Sequence, residues 1–218
     1  MAITTFDTLA AEIKAWAANS SAAFSNRIET FVRFTEDRIY NGQGHMGDAL
    51  YCPPLRAPEM EVSSPLTFVA GAAVKPDDMN TLRVLRRLGD DTGLDYLTPK
   101  QFWIRDAQPD GTTSPAYYTV EGSTIRVTPS YDGDLEILYF KTFTPLSVDN
   151  PANDLVTKYP MLYLSGCLFE AFSYLQEPDL AAGHWERYKS QVSGINQSIA
   201  STRFGGGPLA IRVRNPIP

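Results

Sequence analysis

The residue types that could carry chemistry are few and scattered in this sequence. His45 and His184 are its only histidines. Neither has a partner at metal-ligand spacing, and there is no HExxH run, so no zinc-hydrolase centre is encoded. His184 falls beside the seam of a helical pattern, where an imidazole packs or faces solvent. Ser165, in Tyr163-Leu164-Ser165-Gly166-Cys167, lacks both the glycine two positions earlier and the leading strand that a nucleophile elbow needs. Asp90, Asp91 and Asp95 could together hold a cation, but an EF-hand loop needs ligands at every second position, and a solvated turn explains them. Asp132 and Asp134 flank Gly133 and belong to a hairpin turn. Gly205-Gly206-Gly207 lacks the Lys-Ser/Thr of a phosphate loop. Cys52 and Cys167 lie far apart in no CxxC pattern, which reads as two buried thiols in a reducing compartment. Trp185 and Tyr188 invite a cofactor or peptide groove, but their spacing places both on a packing seam. No catalytic, cofactor or metal site follows, and an enzyme is not expected.

Composition narrows the classes further. The chain has 218 residues, 43% hydrophobic and 20% charged, with a formal net charge of −6. These proportions are those of a globular protein with one large domain or a core with an annex. The negative balance argues against gripping nucleic acid, which needs clustered Lys and Arg. No apolar run is long enough for a membrane span, and the basic start of a signal peptide is missing. A cytoplasmic site of synthesis is expected.

The elements that would position any site alternate in type along the chain. Residues 5–18 predict a helix, with Thr5 as cap and Phe6, Leu9, Ile13 and Trp16 on one face. A second helix is predicted from Ser25 or Asn26, with Glu29 completing a capping box and Ile28, Phe31, Val32, Thr35 and Ile39 facing inward. Four prolines mark 51–65 as an extended connection. A weak strand is predicted at 66–69 and an ambiguous one at 81–88. Thr98-Pro99-Lys100-Gln101-Phe102 reads as a capped helix start. Residues 116–143 predict a three-stranded antiparallel meander with turns at Gly122 and Asp132-Gly133. Two helices follow, at 155–176 and 178–204. The second carries a narrow seam of Ala181, Trp185, Tyr188, Val192, Ile195 and Ile199.

The expected fold is therefore α+β. A helical bundle would be built from N- and C-terminal helices, with a central small antiparallel β-sheet or barrel and an extended C-terminal arm. The segments are 1–50, an N-terminal helical pair; 51–150, the β-domain; 151–204, a C-terminal hairpin packing with the first helices; and 205–218, the arm. In the arm, Leu209, Ile211 and Val213 alternate with Ala210, Arg212 and Arg214 in a strand-like period of two. Three readings fit it: a disordered end, a strand of the protein's own sheet, or an arm that docks on a partner by β-augmentation with Arg212 and Arg214 meeting acids.

Taken in order, these segments resemble the head-to-tail adaptor (connector) proteins of tailed bacteriophages. The resemblance is carried by the helical pair with RIETFVRFTEDRIY, then VKPDDMNTLRVLRRL, LDYLTPKQF, the strand–Gly turn–strand run YYTVEGSTIRVTPSYDGDLEILYFKTFTPLS, LVTKYPMLYLSGCLFEAFSYL, and a last helix with Trp185 and Tyr188. TPKQF and the Gly-turn hairpin are its most specific parts. The Ala-Gly-rich stretch 69–73 and Lys75 depart from the pattern. The resemblance implies a structural virion protein at the head–tail junction, assembled in the host cytoplasm into a homo-oligomeric ring, usually a dodecamer. Its implied partners are the portal protein, a tail or nozzle protein, and double-stranded DNA that passes through the channel without specific binding. No cofactor and no membrane are implied. The C-terminal extension would be a portal-binding arm (Leu209, Ile211, Arg212, Val213, Arg214) on a hinge of Gly205, Gly206 and Gly207. Two rivals remain: a monomeric helical adaptor that binds peptides, and a glycan-binding tail module in which Tyr117, Tyr118, Tyr131 and Tyr139 stack on sugars.

Overall fold

The computed structural model describes residues 2–89, 93–108, 111 and 114–203. The fold is α+β, and it divides into a helical unit, Met1–Glu59 with Thr144–Pro218, and a β unit, Met60–Phe143.

In the helical unit, α1 (Phe6–Trp16) starts where Thr5 and Thr8 exchange side-chain and backbone hydrogen bonds. This reciprocal cap satisfies amide groups that the first turn leaves open. Phe6, Leu9 and Ile13 are buried, but Trp16 is 47% exposed. It sits in the last turn, just before the chain reverses through Ala18 at φ 47°, and so leaves the inward stripe. The second helix also starts differently from expectation. Ser21 caps a short α2 (Ala22–Ser25), and α3 (Ile28–Asn41) follows from Arg27 with no side-chain cap. Asn26 is consumed in closing α2, so the Asn26–Glu29 box does not form, and Glu29 pairs with Arg33 one turn on. The predicted stripe of α3 is buried, and Glu36 and Tyr40 are buried with it.

The helix expected over 155–176 is two helices. Asn153 caps α5 (Asp154–Lys158), and α6 (Pro160–Tyr174) begins after Tyr159. Pro160 has no N–H to continue the α5 ladder, which forces the break. α6 is buried over most of its surface, as its sequence requires, and packs on α1, α3 and α7. Met161, in its first turn, is exposed. α7 (Pro178–Arg203) lays Ala181, Trp185, Tyr188 and Val192 into the core, while Ile195 and Ile199 are only half-buried.

The β unit holds two sheets. β1 (Glu61–Phe68), β7 (Gly133–Lys141) and β3 (Met79–Arg87) form one, with β7 central. β2 (Ala72–Val74), β6 (Thr124–Thr128), β5 (Tyr117–Glu121) and β4 (Asp95–Tyr96) form the other, in that order. β5 and β6 make the predicted antiparallel hairpin. The predicted meander does not continue, because β7 pairs with β1 and β3 rather than with β6. β7 buries Leu135, Ile137, Tyr139 and Phe140, drawn from both of its faces, and such a strand belongs in a sheet centre. β6 is already paired on both sides, by β5 and β2. β1 begins inside the stretch expected to be a connection. Its Pro65 is tolerated because β1 is an edge strand. β3 settles the ambiguity at 81–88 in favour of a strand, with two irregularities in its pairing. Helix α4 (Pro99–Asp106) starts as TPKQF predicts: the Gln101 carboxamide oxygen accepts from both the amide and the hydroxyl of Thr98. The core of this unit gathers Phe68, Leu85, Ile125, Leu135, Ile137 and Tyr139.

Candidate functional site

The groups that could have carried catalysis are placed as structural parts. His184 stacks on Phe172 at 5.3 Å and meets Trp16 edge-on at 6.0 Å, and burial pushes its pKa down. His45 lies in an exposed turn where its amide donates to Asp48. Ser165 is buried and accepts from the Gln191 carboxamide. Burial pushes the Cys52 thiol up to about 11 and the Cys167 thiol up to about 12, so neither is a ready thiolate. Asp132 accepts from the Ala70 amide and Asp134 from the Thr67 hydroxyl, which tie the turn before β7 to β1 and the turn after it. Asp95 is exposed on β4, whereas Asp90 and Asp91 lie outside the described residues. Among the described residues, no group of three or more His, Cys, Asp or Glu comes together as a metal site, and no helix is long and apolar enough to cross a membrane.

The four tyrosines of the glycan reading do not form one exposed platform. Tyr118 and Tyr139 are buried, with the Tyr139 hydroxyl donating to Asp78. Tyr117 is half-buried beneath the Arg105 guanidinium at 5.3 Å, and Tyr131 is also half-buried. The hinge (Gly205, Gly206, Gly207) and the arm (Leu209, Ile211, Arg212, Val213, Arg214) lie outside the described residues.

What the helical unit does present is a groove at the turn between α6 and α7, with a volume of about 530 Å³. Leu50, Phe169, Ala182 and Trp185 give it apolar walls, and Glu177 and Glu186 are among its lining residues. Its shape depends on polar contacts below. Arg38 of α3 pairs with Glu170 of α6, donates to Gln43, and lies over the Phe169 ring at 5.0 Å and the Trp185 ring at 5.9 Å. Trp185 stacks on Tyr188 at 5.4 Å. Two residues earlier on α3, the Glu36 carboxylate accepts from the Leu146 amide at 3.2 and 3.3 Å and from the Tyr163 hydroxyl at 3.3 Å. Burial raises its pKa to about 7 despite those hydrogen bonds. Further along α7, Asn196 exchanges hydrogen bonds with the Pro54 carbonyl and the Arg56 amide, holding the 53–57 stretch along that helix.

Sequence reasoning reached Trp185 and Tyr188 as seam residues but missed that Trp185 also lines a groove. It missed Leu50 as a wall and Arg38–Glu170 as a partly buried pair. The available signal was Glu170, the one charge within an otherwise apolar α6.

A profile of the SU10 adaptor protein family matches residues 4–212, nearly the whole chain. The chain belongs to this family, and it is therefore a phage adaptor, a structural component of the virion. No curated protein matches it.

Proposed function

We propose that this adaptor forms a homo-oligomeric ring, a dodecamer, at the head–tail junction. The ring joins the portal to the tail or nozzle and continues the channel through which DNA passes. The observation that carries this reading is the family match, which spans both units instead of one fragment. The charge supports it: a formal −6 per chain, repeated around a ring, suits a bore that lets DNA slide without sticking. A head-to-tail contact closed by rotation is the geometry such a ring requires. The test is native mass analysis of the full chain mixed with purified cognate portal rings. A product whose mass equals one portal plus a dodecamer of this chain is expected. Portal rings that emerge with no added mass would sink the reading.

A further inference from the structure

We propose that the groove between α6 and α7 receives the C-terminal segment 209–214 of a second copy of the chain, in preference to the portal attachment that the resemblance implies. The inference rests on the ring reading only for where that second copy stands.

The chemistry of the two surfaces matches. The groove has an apolar floor with Phe169 half-buried, Leu50 46% exposed and Trp185 closing one side. Two acids, Glu177 and Glu186, stand on its exposed lining. Glu186 pairs with Lys189 at 2.7 Å, whereas Glu177 makes no ion pair among the described residues. The segment 209–214 reads Leu-Ala-Ile-Arg-Val-Arg. As an extended strand it turns Leu209, Ile211 and Val213 to one face and Arg212 and Arg214 to the other. With the apolar face on the floor, the two arginines rise to the level of the rim, where their long side chains reach the acids.

Reach decides between the chain's own groove and a second copy's. The segment departs at the far end of α7, eighteen residues past Trp185, or about 27 Å of helix. The six residues from Arg203 to Leu209 span at most about 21 Å fully stretched. The first anchor thus falls short of its own groove, and Ile211, at most about 28 Å from Arg203, reaches its near edge only fully stretched, so the segment as a whole cannot lie in it. A neighbouring copy imposes no such limit.

The experiment uses a fluorescent synthetic peptide of residues 205–218 titrated onto the full chain, read by anisotropy. Saturable binding is expected. It should weaken about tenfold or more in Ala182→Arg, which fills the groove from an exposed position, and in Glu177→Lys/Glu186→Lys. A peptide with both arginines changed to Glu should fail on the wild-type chain and recover on Glu177→Arg/Glu186→Arg. No binding, or binding indifferent to all these changes, overturns the proposal. To separate copies, chains carrying Ile211→Cys are mixed with chains carrying Ala182→Cys under a mild oxidant, and a two-chain disulfide product is expected. If instead a single Ile211→Cys/Ala182→Cys chain closes on itself while the mixture yields no joined chains, the second-copy assignment is wrong. A peptide that binds purified portal rings but not this chain also overturns the proposal, and leaves the ring reading standing. A chain that binds the peptide yet never joins a portal does the reverse.

Discussion

Gly166 of α6 lies so close to Thr35 of α3 that a Cβ built on it would stand 2.4 Å from Thr35 Cγ2. No two non-bonded carbons tolerate that distance, so the two helices cross on a missing side chain. The Thr35 hydroxyl donates within its own helix to the Phe31 carbonyl at 2.9 Å, and the close crossing brings it within 3.5 Å of the Cys167 sulfur. Gly166→Ala should therefore push the helices apart and destabilise the helical unit by about 1–3 kcal/mol, the usual range for overpacking. Thr35→Ser removes the clashing methyl, and the double variant should recover more than half of the loss in urea unfolding. Additive losses in the double variant would mean that Thr35 is not the obstacle.

The Glu36 carboxyl sets a pH dependence of definite sign. Its pKa is raised from 4.5 to about 7 by burial, so between those values the folded chain holds a proton that the unfolded chain has released. Stability from this group is present below about pH 4.5 and is lost as pH rises to about 7, by on the order of 3 kcal/mol at most. His184, whose pKa burial lowers, works in the opposite direction, losing stability as pH falls below its unfolded value. Glu36→Gln keeps an acceptor for the Leu146 amide and removes the titration. Its unfolding free energy should be flatter from pH 5 to 8, and it should exceed the wild type at pH 8. A wild-type curve with no decline over that range, once His184→Gln has removed the opposing slope, contradicts the assignment.

The helices were legible in the sequence because their signals are local. Thr5 and Thr98-Pro99 mark starts, and the stripe Ile28-Phe31-Val32-Thr35-Ile39 names its own inward face. The split at Pro160 was also local but was overridden by a continuous apolar run across it. The sheet arrangement was not legible, since β7 could be read as continuing the β5–β6 hairpin until its partners were known. Those partners, β1 and β3, lie far back in the chain, and alternation alone does not choose among distant edges. The groove was hidden for the same reason: Leu50, Phe169 and Trp185 meet only in three dimensions. The arm could be described as a pattern, but its placement lies outside the described residues.

Both cysteines should be silent to thiol reagents in the folded chain. Cys52 is 1% exposed and Cys167 is fully buried, and both thiols are shifted upward by burial. At pH 8 almost no thiolate is present in either, and no reagent reaches them without an opening of the fold. Ellman's reagent should therefore release no colour from native protein over minutes and two equivalents in denaturant. Fast reaction of one native thiol would show a local opening, of the 42–57 stretch if it is Cys52 and of the α6 packing if it is Cys167.

Arg38 and Glu170 form a partly buried pair, with side chains 16% and 13% exposed. Arg38 also supports Phe169 and Trp185, so it links the α3–α6 crossing to the groove wall. Removing one partner leaves the other's charge desolvated and unanswered, which costs about 3 kcal/mol or more. Glu170→Gln and Arg38→Met should each lower the unfolding free energy by that order. The double variant Arg38→Met/Glu170→Met puts apolar bulk in place of both charges, and should lie closer to the wild type than either single variant. The groove gives a second readout. Arg38→Met keeps side-chain volume but loses the cation over the two rings, so tryptophan emission should shift even in the Arg38→Met/Glu170→Met protein where stability has returned. A double variant whose loss equals the sum of the single ones would mean that the two side chains act independently and that the ion pair contributes nothing to joining α3 and α6.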